Sequence, residues 1–432
     1  MSQFVIHGGH PLHGVHRVPG NKNAALPMLA ASTLADGPVT LDALPLIRDV
    51  RVMLDLLRSL GADVELDETA HRVRIDPRGI EPRALDPDLC RQVRTSFLFA
   101  GPLAARFGRA EIASPGGDAI GQRRLDTHID GFRALGMEVA DGLPYRFRRH
   151  GRLHGADIVL DEASVTATEN ILMAAVLAEG TTTIYNAACE PHVANLATML
   201  RAMGADIQGA GTNFITVRGV ERLGGTEARI LPDAIEAASF LAAAAATGGS
   251  LALDGITPFD AHVIARPFAR LGVRWEQRPD GSVLLPPGQT LRVANDYGNA
   301  IPKIEDGIWP STPSDVMSPL IVLATQTEGT VLFFEKLFES RMYFVDHLIG
   351  MGARIVQCDP HRIVVQGPAP LHGTHVSSPD IRAGMALIIA ALCARGETVI
   401  HNAESIDRGY EAIDATLRAV GADIVREKVS EG

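Results

Sequence analysis

A glycine that ends a helix-like segment and leads straight into a β-prone run recurs six times along this 432-residue chain. That repeat narrows the possible folds more than any other feature. The junctions read Leu60-Gly61-Ala62-Asp63, Leu135-Gly136-Met137-Glu138, Met203-Gly204-Ala205-Asp206, Leu271-Gly272-Val273-Arg274, Met351-Gly352-Ala353-Arg354 and Val420-Gly421-Ala422-Asp423. By subtraction of residue numbers they lie 75, 68, 68, 80 and 69 residues apart. An earlier glycine in each copy (Gly37, Gly108, Gly180, Gly249, Gly329, Gly396) ends an Ala/Leu-rich stretch and precedes a Val/Ile/Thr run. The next junction follows 24, 28, 24, 23, 23 and 25 residues later. Glycine closes a helix in the left-handed conformation, where a Cβ would clash, so left-handed backbone is expected at both sets of positions.

Each copy then holds two helices and several strands. The stretches Asn170–Glu179 and Phe240–Thr247 are apolar almost all round, the mark of helices inside a layer rather than on a surface. The chain is too long for one ordinary core, and six copies divide most simply into three and three. Helices would lie inside each domain with sheets outside. An open solenoid is the competing arrangement, although neither end carries a polar capping copy. Val18-Pro19-Gly20-Asn21 and Ile230-Leu231-Pro232-Asp233 join proline to turn residues and are the expected crossings between domains. The expected domains are residues 22–231 and residues 1–21 together with 232–432.

Charge bears on partners. The formal net charge is −11, which opposes non-specific nucleic-acid binding, since that needs a basic surface. The longest apolar stretch, Ala237–Gly248, is too short to cross a bilayer. Met1-Ser2-Gln3-Phe4 lacks the charged and then apolar pattern of a signal peptide, so none is expected. Cys90, Cys189, Cys358 and Cys393 are far apart, with no metal-ligand spacing, and read as buried small hydrophobes of a reduced, cytoplasmic chain. No membrane or nucleic-acid partner is expected.

The chain has no GxxxxGK[ST] phosphate loop, no GxGxxG opening a helix after a strand, no HExxH and no GxSxG. What stands out is cations in loops: Lys22 in Gly20-Asn21-Lys22-Asn23-Ala24-Ala25, Arg123 and Arg124 after Pro115-Gly116-Gly117-Asp118, and Arg341 after Phe338-Glu339-Ser340. Arg382 follows Asp380-Ile381, and Arg408 lies within Ile406-Asp407-Arg408-Gly409-Tyr410. Singly each reads as a solvated surface charge. Spread over loops of different copies in a net-negative chain, they point to one shared anion site. Guanidinium forks hold phosphate and carboxylate bidentately, and lysine supplies a point charge.

Several of these segments, in this order, resemble the UDP-N-acetylglucosamine 1-carboxyvinyltransferases, the enolpyruvyl transferases of the EPSP synthase-like superfamily. They are Gly20-Asn21-Lys22-Asn23-Ala24-Ala25-Leu26-Pro27, Ser114-Pro115-Gly116-Gly117 with Ala119-Ile120-Gly121 and Arg123, and Ser164-Val165 with Ala167-Thr168-Glu169-Asn170. Phe338-Glu339-Ser340-Arg341 and Ile406-Asp407-Arg408-Gly409-Tyr410 complete the set. The likeness runs from about Phe4 to Ile424. It implies an α/β fold, a two-domain inside-out α/β barrel of six βαβαββ-type units, three per domain, with the active site in the cleft between domains.

It further implies transfer of enolpyruvyl from phosphoenolpyruvate to the 3′-hydroxyl of UDP-N-acetylglucosamine, by addition and then elimination of phosphate. No metal or organic cofactor is implied, and the only partners are these two small molecules. This is the committing step of peptidoglycan synthesis, hence of cell-wall biogenesis, cell shape and division. By motif match, Lys22, Arg123, Arg408, Arg94 and Arg382 would hold phosphoenolpyruvate. Asn23, Arg94, Ser164, Val165, Asp315, Leu337 and Arg341 would line the nucleotide sugar. By the same match Asp126 and His128 lie near the Ser164-Val165 loop, and Glu339, like Leu337, would contact the nucleotide sugar.

Asp118, Asp315, Lys22 and Arg408 are the expected catalytic residues. Asp315 would take the hydroxyl proton. Asp118 stands where most members carry cysteine and would act as an acid toward C3 or assist product release; a loop-capping aspartate is the plainer reading. Without a thiolate there, the epoxide antibiotic fosfomycin should not alkylate this position, which implies resistance. Glu162, Ala163 and Thr166 depart from the family's uridine loop, and Asn295–Trp309 is longer than its pattern. These departures motivate the alternative of a paralogue using another nucleotide, such as UMP, in secondary metabolism.

Overall fold

A computed structural model of the chain describes residues 2–117, 120–121 and 123–429. Those residues form two compact units. A middle unit holds residues 20–117 and 123–231; a terminal unit holds residues 2–19, 120–121 and 232–429. Each has its own apolar core, one drawn from residues between Ala24 and Ile230, the other from Phe4–Val18 and Ile235–Ile424.

In the terminal unit the helices Ala234–Ala246, Ser314–Gln326 and Ile381–Cys393 pack against one another and are buried on nearly every face. Their alanines and glycines let backbones approach closely, which a helix surrounded by other elements needs. The middle unit uses Lys22–Ala31, Ala100–Phe107 and Val165–Ala175 in the same way. Gly101 shows how tight this packing is: a Cβ there would lie 2.3 Å from the Asn170 carbonyl oxygen, so only glycine fits between these helices.

Among the described residues there are six sheets, three in each unit. Their strands alternate buried and exposed residues, as in Thr181–Tyr185 and Phe214–Arg218, so one face covers the helices and the other faces solvent. The repeat pairs one parallel strand with an antiparallel trio; Asp157–Val159 runs parallel to Thr181–Tyr185, for example. The last copy is completed from the chain start, where Ser2–His7 lies between Glu397–His401 and Asp423–Lys428. The second copy has three strands instead of four. Ahead of its core helix, Pro82 and Asp86-Pro87 break any strand, and a short helix Pro87–Cys90 capped by Asp86 stands there instead.

All six junction glycines are left-handed, with φ between +80° and +111°. The earlier set corrects the expectation at two positions. Gly37 and Gly249 do not have positive φ; at the latter Gly248 takes that role, at +71°. Gly249 is needed for a different reason, because a Cβ on it would sit 2.0 Å from the Leu12 carbonyl oxygen.

Candidate active site

In the middle unit, Asn21 starts the Lys22–Ala31 helix by accepting the Ala24 N–H at 2.8 Å. Lys22 is therefore fixed at a helix N-terminus, where unpaired backbone N–H groups already favour an anion. Its Nζ lies 2.7 Å from Asp49 Oδ2, and both residues are buried. Asn23 follows, half-buried.

The turn Arg94–Phe99 packs against that helix and carries Arg94, whose Nη2 donates to the Arg123 carbonyl at 2.5 Å. Gly117 allows the approach of the loop between them: it has φ +114°, and a Cβ on it would lie 2.8 Å from Arg94 Cβ and 3.6 Å from Arg123 Nη2. Burial and then the Arg123 guanidinium push the Arg94 guanidinium below its ordinary value. Two half-buried like charges held together in this way are relieved by a bound anion.

Beside them, His128 is buried between Thr166 Oγ1 at 3.2 Å and Asn170 Nδ2 at 3.3 Å. The Asn170 amide nitrogen can only donate, so Nδ1 accepts and Nε2–H donates to Thr166; the ring is neutral. Burial, helped by Arg94, pushes its value down to about 3. Ser164 caps the Val165–Ala175 helix by accepting from Ala167 N–H at 3.4 Å, and both Ser164 and Val165 are half-buried. Asp126 is exposed and accepts from Arg124 Nε at 2.9 Å.

In the terminal unit, Asp315 lies in the first turn of the Ser314–Gln326 helix and joins two of the singled-out arginines. Its Oδ1 accepts from Arg341 Nη2 at 2.9 Å, and its Oδ2 accepts from Arg382 Nε at 3.0 Å. The Arg side chains are almost fully buried, whereas the Asp315 side chain is 24% exposed, so the carboxylate is the part of this cluster open to solvent. Asp380 Oδ1 caps the helix that carries Arg382 by accepting from Arg382 N–H and Ala383 N–H. Arg382 Nη1 also donates to the Tyr410 hydroxyl at 3.1 Å, which in turn meets Ser239 Oγ at 2.9 Å. Burial opposes the Arg382 charge, but Asp315, Tyr410 and Asp233 outweigh it and hold the guanidinium above its ordinary value.

Arg408 ends the turn Ala403–Arg408, two residues before Tyr410, and is half-buried. The turn's orientation is fixed from behind by Arg426, which forks onto both oxygens of Asp407 at 2.8 and 2.6 Å. Leu337 and Glu339 are exposed on the segment between the Gly329–Phe334 strand and Arg341. Asp118 lies outside the described residues. Among the described residues, no three His, Cys, Asp or Glu side chains are grouped as a metal site.

The singled-out residues thus gather into two sets: Lys22, Asn23, Arg94, Arg123, Ser164 and Val165 in one unit, and Asp315, Leu337, Arg341, Arg382 and Arg408 in the other. A family model described as EPSP synthase (3-phosphoshikimate 1-carboxyvinyltransferase) matches residues 6–417. The UDP-N-acetylglucosamine 1-carboxyvinyltransferase of Treponema denticola is 49% identical over 99% of this chain and all of its own length. The chain belongs to the UDP-N-acetylglucosamine 1-carboxyvinyltransferase family. The Bradyrhizobium diazoefficiens member is 48% identical, with 98% of each chain covered. Among solved structures, the enolpyruvyl transferase NikO from Streptomyces tendae superposes with a TM-score of 0.87 at 26% identity over 99% of both chains. EPSP synthase from Acinetobacter baumannii shares the fold, with a TM-score of 0.74 at 21% identity over 99% of this chain and all of its own.

The chain is thus a carboxyvinyl-transferring enzyme with the EPSP synthase-like fold. Sequence reading missed the second layer around these residues. Asp49 pairs with Lys22 from 27 positions away by subtraction, and no local spacing announces it. Tyr410 stood inside a quoted motif, but its link to Arg382 exists only in the folded unit.

Proposed function

We propose that this enzyme transfers the enolpyruvyl group of phosphoenolpyruvate to the 3′-hydroxyl of UDP-N-acetylglucosamine and releases phosphate, committing the sugar to peptidoglycan synthesis. The observation that carries this reading is the 49% identity over essentially the whole length of a relative bearing that name. The two cation sets support it, because a substrate with a phosphate and a carboxylate needs several fixed positive charges.

In the first step, C3 of phosphoenolpyruvate gains a proton while the sugar oxygen bonds to C2 and its own proton leaves. In the second, the C2–O bond to phosphate breaks, C3 loses a proton and the double bond returns. Lys22, Arg94, Arg123, Arg382 and Arg408 hold the phosphate and carboxylate in this scheme. Asn23, Ser164, Val165, Leu337 and Arg341 contact the nucleotide sugar, together with Arg94 and Asp315.

Asp315 takes the hydroxyl proton. Its Oδ1 faces Arg341 Nη2 and its Oδ2 faces Nε and Nη2 of Arg382, so both guanidiniums orient the base. Asp118 supplies the proton to C3 or assists release. All four cysteines are free, which agrees with a cytoplasmic location.

Carbon NMR of the product from 13C-labelled phosphoenolpyruvate tests the reaction. An enol ether on the sugar 3′-oxygen is expected; label appearing on any other atom, or only pyruvate, would overturn the assignment.

A further inference from the structure

The strands Lys303–Glu305 and Gly329–Phe334 run parallel, with Glu305 opposite Phe334. The next residues, Asp306 and Glu335, leave the strand ends side by side, and Asp306 N–H donates to the Phe334 carbonyl at 3.3 Å. Both are completely buried. Asp306 Oδ1 accepts from Lys336 N–H at 2.5 Å, and Glu335 Oε1 accepts from Ser314 Oγ at 2.7 Å. The remaining oxygens, Asp306 Oδ2 and Glu335 Oε2, are buried without a donor at the two adjacent strand ends.

Two ionised carboxylates cannot occupy such a place without a large penalty; one proton between them gives both orphaned oxygens a partner. The groups around the pair fit a single negative charge. Arg341 is the cation that acts on Glu335, but its Nη2 is committed to Asp315. Lys336 faces the pair only with its backbone, since its Nζ turns to Glu305 at 3.4 Å. His361 directs Nδ1 at the Glu335 carbonyl, 2.7 Å away, rather than at its carboxyl. Asp315 faces both Arg341 and Arg382, and Asp233 also acts on Arg382, so these cations do not call for a second charge on the pair.

We propose that Asp306 and Glu335 hold one proton between them and serve as a positioning pair for Asp315, acting through the Ser314 hydroxyl at the helix start and through Arg341. The kinetic half of this proposal rests on the reading of Asp315 as the base. Ser314 is the first residue of the helix and Asp315 the second, so the Glu335–Ser314 bond sets where the Asp315 carboxylate begins. Loss of the shared proton leaves two adjacent buried charges, which push the strand ends apart and release Ser314. Burial first, and then Asp306, push Glu335 up to about 9.

The test follows kcat/KM and Tm from pH 6 to 10.5 for the wild type, Asp306→Asn and Glu335→Gln. In both variants an amide N–H donates permanently to the remaining carboxylate and replaces the shared proton. The wild type should lose about tenfold in kcat/KM one pH unit above the ionisation. The variants should turn over at pH 7 and lack this limb, while any limb from Lys22 stays common to all three.

For stability the sign is set by a raised carboxyl. Between about 4.5 and about 9 the folded chain keeps a proton that the unfolded chain has lost, so stability falls as pH rises through that window and is flat above it. Wild-type Tm should fall across that range relative to either variant. Equal Tm slopes in all three would overturn the shared proton. A lost slope with an unchanged kinetic limb would overturn the positioning role. Absence of turnover with every acceptor would instead count against the reaction assigned above, and the Tm comparison would still decide the shared proton. If one variant fails to fold, the other carries the comparison.

Discussion

Asp315, the base of the proposed reaction, is held by Arg341 and Arg382 and stays partly exposed. Asp315→Asn keeps the shape, removes the proton acceptor and is expected to lower kcat by about 10²–10⁴-fold. Steady-state kinetics with circular dichroism as a folding control checks this, and an unchanged kcat would move the base elsewhere. Asp118 carries a separate expectation. Incubation with fosfomycin should leave the intact mass unchanged, because a carboxylate is a poor nucleophile toward an epoxide beside a thiolate; an adduct mapped to Asp118 would contradict it. The cations themselves were legible in the sequence, although Lys22 and Arg382 stand in the first turns of helices rather than in the loops expected. Their partners were not: Asp49 reaches Lys22, and Glu335 reaches Ser314, only through tertiary packing.

At the level of elements, the site depends on how tightly loops seat against helix starts. Gly117 combines positive φ with a close approach to Arg94, so Gly117→Ala brings both strain and a clash. A rise of about tenfold or more in KM for phosphoenolpyruvate is expected, with stability lowered by about 1–3 kcal/mol; unchanged KM would show that the loop relaxes without moving the arginines.

The buried His128 ties the Asp126–Ala134 helix to the Val165–Ala175 helix through Thr166 and Asn170. Its value is about 3 in the folded chain and about 6.5 when exposed, so the unfolded chain binds a proton in that window and the folded chain does not. Stability from this group is therefore full above pH 6.5. It falls on acidification toward pH 3, by at most about 1.4 kcal/mol per pH unit. Tm of the wild type against His128→Gln between pH 3.5 and 7 measures it; parallel curves would remove His128 as the cause. The junction glycines were readable because the same backbone problem recurs six times. Gly249 was misread as a cap because its constraint comes from Leu12, more than 200 positions away, and only the folded sheet supplies it.

Over the whole molecule, six copies of one local solution build two cores, each with three apolar helices covered by sheets. The number of copies and the helix-inside arrangement follow from glycine spacing and from apolar stretches without a polar face. The second copy's missing strand follows from Pro82 and Pro87, which were equally visible but carry meaning only once the strand's place in the repeat is known. A scaffold of this kind leaves its polar residues at loop and helix starts, where the proposed reaction places its substrates. The most direct test is phosphate release from phosphoenolpyruvate with UDP-N-acetylglucosamine, UMP, shikimate 3-phosphate or no acceptor. Release that depends on UDP-N-acetylglucosamine is expected; release with UMP alone, or with none of them, would contradict the assigned reaction.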